Sequence, residues 1–325
     1  MTTATTTDPP DLLRIADIDA AQLGYLLDLA VEMKHERKRW RDVLRGETVA
    51  MLFEKPSTRT RVSLAGAATR LGLAPLSLRA DELQLGRGEP ISDTARVLSG
   101  FVAAIAIRTF AQAELEEVAR YADVPVINAL SELHHPCQAL ADLMTIREQF
   151  GSLPGRRLRF VGDGNNNVTH SLLEAGALAG MDVTVACPTG YEPRSEIIEG
   201  ARRAAEQSGG HVAIVDDPRS AVSGADAVYT DVWVSMGEEK EQQQRRTDLS
   251  GYQVNAKLMA LAKDEAIFLH CLPAHRGEEV TADVIDGPMS VVWQQAANRL
   301  PTEQALLYAL ITGDWTHSHD ADDDW

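Results

Sequence analysis

The chain has 325 residues, 44% of them apolar, enough for about two globular domains with their own cores. Its formal charge of −17, from 31 Lys and Arg against 48 Asp and Glu, argues against nucleic acid or an anionic membrane as a partner. Three cysteines, Cys137, Cys187 and Cys271, without CxxC spacing suggest neither a disulfide framework nor a structural zinc site, and point to a reducing cytoplasm.

The first ten residues carry no basic start or apolar run, and with the acidic stretch from His317 to Trp325 they are expected to be disordered. No segment approaches the length of a membrane span. From residue 10 onward, helical stretches near 20–34, 57–72, 91–100 and 111–122 alternate with β-rich runs near 48–54, 75–79, 103–108 and 124–128. A long amphipathic stretch, Pro136 to Phe150, then ends in Gly151-Ser152-Leu153-Pro154-Gly155, the strongest domain boundary. Beyond it, strands are predicted at 158–162, 182–186, 211–215, 226–231, 266–271 and 290–293, and helices at 167–179, 194–208 and 255–263. Met236 to Leu249 lacks apolar periodicity and is predicted to be a mobile loop. Gln295 to Ile311 is predicted to be a final helix with Pro301 near its start or at a kink. The pattern predicts an α/β protein of two doubly wound domains, each a parallel sheet flanked by helices. The first spans 1–150 and is rejoined by the C-terminal helix from about 295; the second spans 151–294.

Ligands in open α/β sheets bind beyond the carboxyl ends of the strands, so polar clusters at predicted strand ends are candidate site residues. Lys55, Arg59 and Arg61 crowd the start of a helix for which Ser57 or Thr58 is the expected cap. A helix N-terminus is electropositive, so a multiply charged anion, phosphate above all, fits between them. Arg108 ends an apolar strand and must meet water, a carboxylate or a ligand. His135 before Pro136, with Gln138 after it, offers donors to a carbonyl oxygen that develops negative charge. Gly162-Asp163-Gly164-Asn165-Asn166-Asn167 has the position of a dinucleotide turn, but Asn167 stands where the third glycine belongs, so NAD is not expected. Asp231 is a candidate partner for a substrate ammonium. In His270-Cys271-Leu272-Pro273 the proline should hold Leu272 extended, and Cys271 reads as an orienting group because His270 would point to the opposite face.

Phe53-x-Lys55-x-Ser57-Thr58-Arg59-Thr60-Arg61, His135-Pro136-Cys137-Gln138, His270-Cys271-Leu272-Pro273 and Asp231-Val232-Trp233-Val234-Ser235-Met236-Gly237 are all present. Together they resemble the signatures of the transcarbamoylase family, over about residues 20–312. The resemblance implies transfer of a carbamoyl group from carbamoyl phosphate to an amine, with the last motif pointing to L-ornithine and setting it apart from aspartate, putrescine and acylated-ornithine relatives; a carbamoyltransferase for putrescine or an acylated ornithine is the alternative. It implies phosphate contacts from Ser57, Thr58, Arg59 and Thr60, closed by Arg299. Arg108, His135 and Thr60 would act on the carbonyl oxygen, while Gln138 and the carbonyls of Cys271 and Leu272 receive the carbamoyl amide. Asn167, Asp231, Ser235 and Met236 would hold ornithine, with Asn166 as the alternative to Asn167 because the asparagine turn is one residue longer than in many members. Gln84 matches a residue that reaches a neighbouring subunit's site, which implies a homotrimer or a multiple of it. Neither a metal nor an organic cofactor is implied.

Overall fold

The computed structural model describes residues 11–79, 88–109, 111–234 and 242–316. The expected lead-in and tail, Gln84, Ser235 and Met236 lie outside the described residues.

Residues Thr48–Phe53 (β1), Ala74–Arg79 (β2), Ala104–Arg108 (β3) and Val126–Leu130 (β4) form a parallel sheet in the order β2-β1-β3-β4. β1 and β3 are almost uninterrupted apolar runs and are buried on both faces, as interior strands covered by helices must be. A second parallel sheet, in the order β7-β6-β5-β8-β9, comprises Arg157–Val161 (β5), Asp182–Ala186 (β6), His211–Val215 (β7), Ala227–Thr230 (β8) and Ile267–His270 (β9). The long helices are Ala20–His35 (α1), Arg59–Leu71 (α2), Ile91–Ser99 (α3), Gln112–Tyr121 (α4), Pro136–Phe150 (α5), Asn167–Leu178 (α6), Ser195–Ser208 (α7) and Val292–Thr312 (α12). Shorter ones are Pro218–Val222 (α8), Gln242–Asp248 (α9), Ala256–Met259 (α10) and Ala282–Ile285 (α11). The predicted fold class is observed. Among the described residues no helix is long and apolar enough to cross a membrane.

Each sheet reverses its winding once, between β1 and β3 and between β5 and β8, and those reversals are where such sheets open a crevice. Strand register levels the two sides of each crevice. Phe53 lies opposite Arg108, so the 54–58 loop and Arg108 emerge together; Thr230 lies opposite His270, which puts Asp231 beside Cys271.

α12 leaves the second sheet and packs against α1, α2 and α5 of the first. Its Leu306, Leu307, Tyr308 and Leu310 join one apolar cluster with Leu64, Leu71, Leu140 and Met144. Several local expectations fail. The strand predicted at 290–293 is a single bridge between Ser290 and Phe268, after which Val292 begins α12. The helix predicted over 255–263 is one turn, α10, capped by Asn255. Part of the predicted mobile stretch is α9, fixed by its buried Arg245. Of the two places expected for Pro301, the start of the last helix is excluded, because the proline lies inside α12.

Candidate active site

The first crevice is electropositive by construction. Thr58 is the N-cap residue of α2, but with φ −89° and ψ −57° it is already helical and its side chain caps nothing. The expected side-chain cap is therefore absent, and the hydroxyl and leading N–H groups stay available to an anion. Arg59 and Arg61, two residues apart on a helix, point to different faces. The Arg61 guanidinium lies 4.7 Å from the centroid of the Phe53 ring, whereas Arg59 Nη2 crosses to donate to the Leu272 carbonyl from the other lobe. The cationic cluster is thus not Lys55, Arg59 and Arg61 as the sequence suggested. It is Arg59, Arg108 and Arg299, with buried Lys55 behind, its own pKa lowered by burial and by Arg108.

Arg108 is only 7% exposed, and among the described residues no carboxylate lies within ion-pair distance of it. Its Nε has no hydrogen-bond partner. Burial, then Arg299 and Arg59, pull its pKa down to about 10. Arg299, 2% exposed, donates through Nη1 to Gln138 Oε1 at 2.8 Å and through Nη2 to Thr60 Oγ1 at 3.3 Å. Burial opposes its charge, but Glu303 Oε1, accepting at 2.6 and 3.1 Å, together with Cys137 and Asp142 more than offsets burial and raises its pKa. Removing that partner should be costly. Glu303→Leu leaves a buried, uncompensated guanidinium and is expected to destabilise the fold by about 3–5 kcal/mol, read as a lowered urea midpoint. An unchanged midpoint would show that Arg299 does not depend on this carboxylate.

His135 precedes α5, with Pro136 in its first turn as predicted. Its N–H donates to Ser171 Oγ at 2.8 Å, across the lobe boundary, while its side-chain Nδ1 has no partner. Burial and then Arg299, Arg108 and Arg59 hold its pKa well below the usual range, so the ring is neutral. Gln138 is clamped at both ends, its amide donating to Asp142 Oδ1 at 2.8 Å.

In the second crevice, Asp231 Oδ1 accepts from Val232 N and from Cys271 Sγ, at 2.8 and 2.9 Å. Burial and Asp231 keep the Cys271 thiol well above its ordinary pKa, so it is a protonated donor and no nucleophile. Leu272 is not extended as expected but left-handed, with φ +58°. Asn166 caps α6, its Oδ1 accepting from Thr169 N at 2.8 Å, and so is spent on structure. Asn167 lies one position on and donates to the Ser131 carbonyl at 2.7 Å. At Gly164 the turn is closely packed: a Cβ there would sit 2.6 Å from the Tyr191 carbonyl. Asp231, His270 and Cys271 bring potential metal donors together, but the thiol is committed to Asp231 and the imidazole to Leu272 N and Glu279.

This architecture matches known proteins at the scale of both lobes. Residues 10–148 match the family model described as aspartate/ornithine carbamoyltransferase, carbamoyl-P binding domain, and residues 154–310 match its Asp/Orn binding domain. The chain belongs to the aspartate/ornithine carbamoyltransferase family. It is similar to an ornithine carbamoyltransferase of Hyperthermus butylicus, 54% identical over 93% of this chain and 97% of the relative. A relative of the same name from Acidothermus cellulolyticus is 55% identical over 91% and 94%. The solved ornithine carbamoyltransferase from Pyrococcus furiosus superposes with a TM-score of 0.90 at 50% identity, covering 95% of this chain and 99% of that one.

Within this carbamoyltransferase, the structure brings together Thr60, Gln138 and Arg299, Arg59 and Leu272, and Asp231 and Cys271. Sequence reasoning missed the groups that hold these. Glu303 and Asp142 each lie four residues from their partner on a helix, a spacing that could have flagged them. Asp163 pairs with Arg245 at 2.6 Å and ties α9 to the asparagine turn, a contact with no local signal.

Proposed function

We propose that the chain transfers the carbamoyl group of carbamoyl phosphate to the side-chain amine of L-ornithine, giving L-citrulline and phosphate. The observation that carries this reading is the convergence of exposed Arg59 with buried Arg108 and Arg299 on one crevice, with Glu303 as the sole carboxylate paired to them among the described residues. Such a crevice favours a bound dianion. Ser57, Thr58, Arg59 and Thr60 receive the phosphate, with Arg299 closing that side. The Leu272 carbonyl is taken by Arg59 in this structure, so binding moves the guanidinium onto phosphate and frees that carbonyl, with the Cys271 carbonyl and Gln138 Oε1, for the carbamoyl amide.

The neutral amine attacks the carbonyl carbon and a C–N bond forms; as the tetrahedral oxyanion collapses, the C–O bond to phosphate breaks and the departing phosphate takes up the proton that the attacking nitrogen loses. Arg108, neutral His135 and Thr60 face that oxyanion. Positioning and electrostatic stabilisation supply the acceleration, so the reaction asks for no metal or organic cofactor. Asp231 takes the α-ammonium of ornithine, with Asn167, Ser235 and Met236 completing its site. Residues 1–150 with the C-terminal helix form the carbamoyl-phosphate lobe, and 151–294 the ornithine lobe. The setting is cytoplasmic and the assembly a homotrimer or a multiple of it, with Gln84 reaching a neighbouring site. The edge strand β2 with its exposed Leu76, and the exposed apolar side chains of Val97 and Phe101, support such self-association.

The test is citrulline formation from carbamoyl phosphate and L-ornithine, with putrescine and N-acetylornithine as competing acceptors. Ornithine should be preferred, and the rate should rise with pH as its amine loses a proton. Absence of citrulline, or preference for either competitor, would overturn the reading.

A further inference from the structure

Leu272 is held in a left-handed backbone conformation that leucine disfavours. Its two backbone polar groups are both engaged: the carbonyl accepts from Arg59, and the N–H donates to His270 Nδ1 at 2.8 Å. An Nδ1 that accepts carries no proton, so the neutral ring bears its hydrogen on Nε2. Nε2 lies 3.3 Å from Glu279 Oε1. Glu279 is completely buried, and the same oxygen accepts from His275 N at 2.5 Å, tying both ends of the 270–275 turn to one carboxylate. Its other oxygen has no hydrogen-bond partner. The 275–281 loop is fixed from outside, since Val254 N donates to the Glu279 carbonyl at 2.8 Å.

We infer that Glu279 is a positioning residue for carbamoyl phosphate: it fixes the His270 tautomer, which holds the Leu272 N–H and thereby aims the Leu272 carbonyl into the first crevice. This rests on the role assigned to that carbonyl in the proposed function. Glu279 touches no reacting atom. Its influence passes through His270, because His270 Nδ1 is the acceptor for Leu272 N. With the carboxylate removed, the buried Nε2–H loses its acceptor and only the Leu272 N–H still favours that tautomer. The other neutral tautomer places an N–H against the Leu272 N–H and drives the strained residue out of place.

The experiment uses the full chain labelled with 15N-histidine, the His270 signals being assigned by their loss in His270→Asn. In the unsubstituted protein the expected signature is a protonated Nε2 and an unprotonated Nδ1. A protonated Nδ1 overturns the inference whatever the variants do. Glu279→Gln keeps an acceptor oxygen and should preserve both the tautomer and the KM for carbamoyl phosphate. Glu279→Met should scramble the tautomer and raise that KM about tenfold or more, with the KM for ornithine nearly unchanged. A scrambled tautomer with an unmoved carbamoyl-phosphate KM, or equal damage by both substitutions, also overturns it. If the unsubstituted protein forms no citrulline, the functional reading fails, and the tautomer measurement separates that failure from this one.

Discussion

Arg108→Met is expected to weaken carbamoyl-phosphate binding by about a hundredfold or more while raising the thermal midpoint of the ligand-free protein. The two effects have one origin. Without ligand, Arg108 is a buried cation facing Arg299 and Arg59, with an unpartnered Nε and a pKa of about 10 against 12.5. That shift corresponds to on the order of 3 kcal/mol working against its charged form. Methionine fills similar volume without the charge, so the ligand-free protein should relax. With the dianion bound, the same substitution removes a donor and a counter-charge. Thermal denaturation with and without carbamoyl phosphate checks both halves. A lower midpoint for the ligand-free variant, or an unchanged ligand-induced shift, would show that Arg108 is a structural cation and not a binding one.

Asp231→Asn should raise the ornithine requirement about 10- to 100-fold and leave carbamoyl-phosphate affinity nearly unchanged, the loss expected when a hydrogen bond between charged groups becomes a neutral one. The substitution is conservative in shape. Asn retains an Oδ1 that can accept from Val232 N and Cys271 Sγ, so the loop's local geometry survives. What disappears is the negative charge at a residue that is 7% exposed, where a substrate ammonium would be largely desolvated. Steady-state kinetics in each substrate, with carbamoyl-phosphate binding measured by calorimetry, separates the possibilities. Equal loss in both would place Asp231 in the framework of the crevice and not against ornithine.

The sheet topology and the residues at its rim were legible because parallel strands buried on both faces are written as apolar runs, and the residues just past the end of each run lie at the carboxyl edge. Ser57 to Thr60, Arg108, His135, Asp231 and Cys271 could be found that way. The direction of a side chain was less legible. Adjacency in sequence groups Arg61 with Arg59, yet the helix turns it onto Phe53. Leu272 was expected to be extended before proline, yet Arg59 and His270 hold it in a left-handed conformation. Least legible were Glu279 and Arg245, whose partners come from different segments of the chain and leave no periodic trace. Short helices such as α8 and α11 escaped for a related reason: one turn is too brief to establish a period.

The path of α12 bears on how the molecule is born. A helix synthesised after the whole second lobe completes the core of the lobe that precedes it, since Leu306, Leu307 and Leu310 pack with Leu64 and Leu140. The amino-terminal half must therefore wait, with an apolar groove uncovered, while the central segment assembles around its own sheet. Nascent chains stalled before residue 292 should expose that groove to chaperones, and release of the final turns should extinguish the binding.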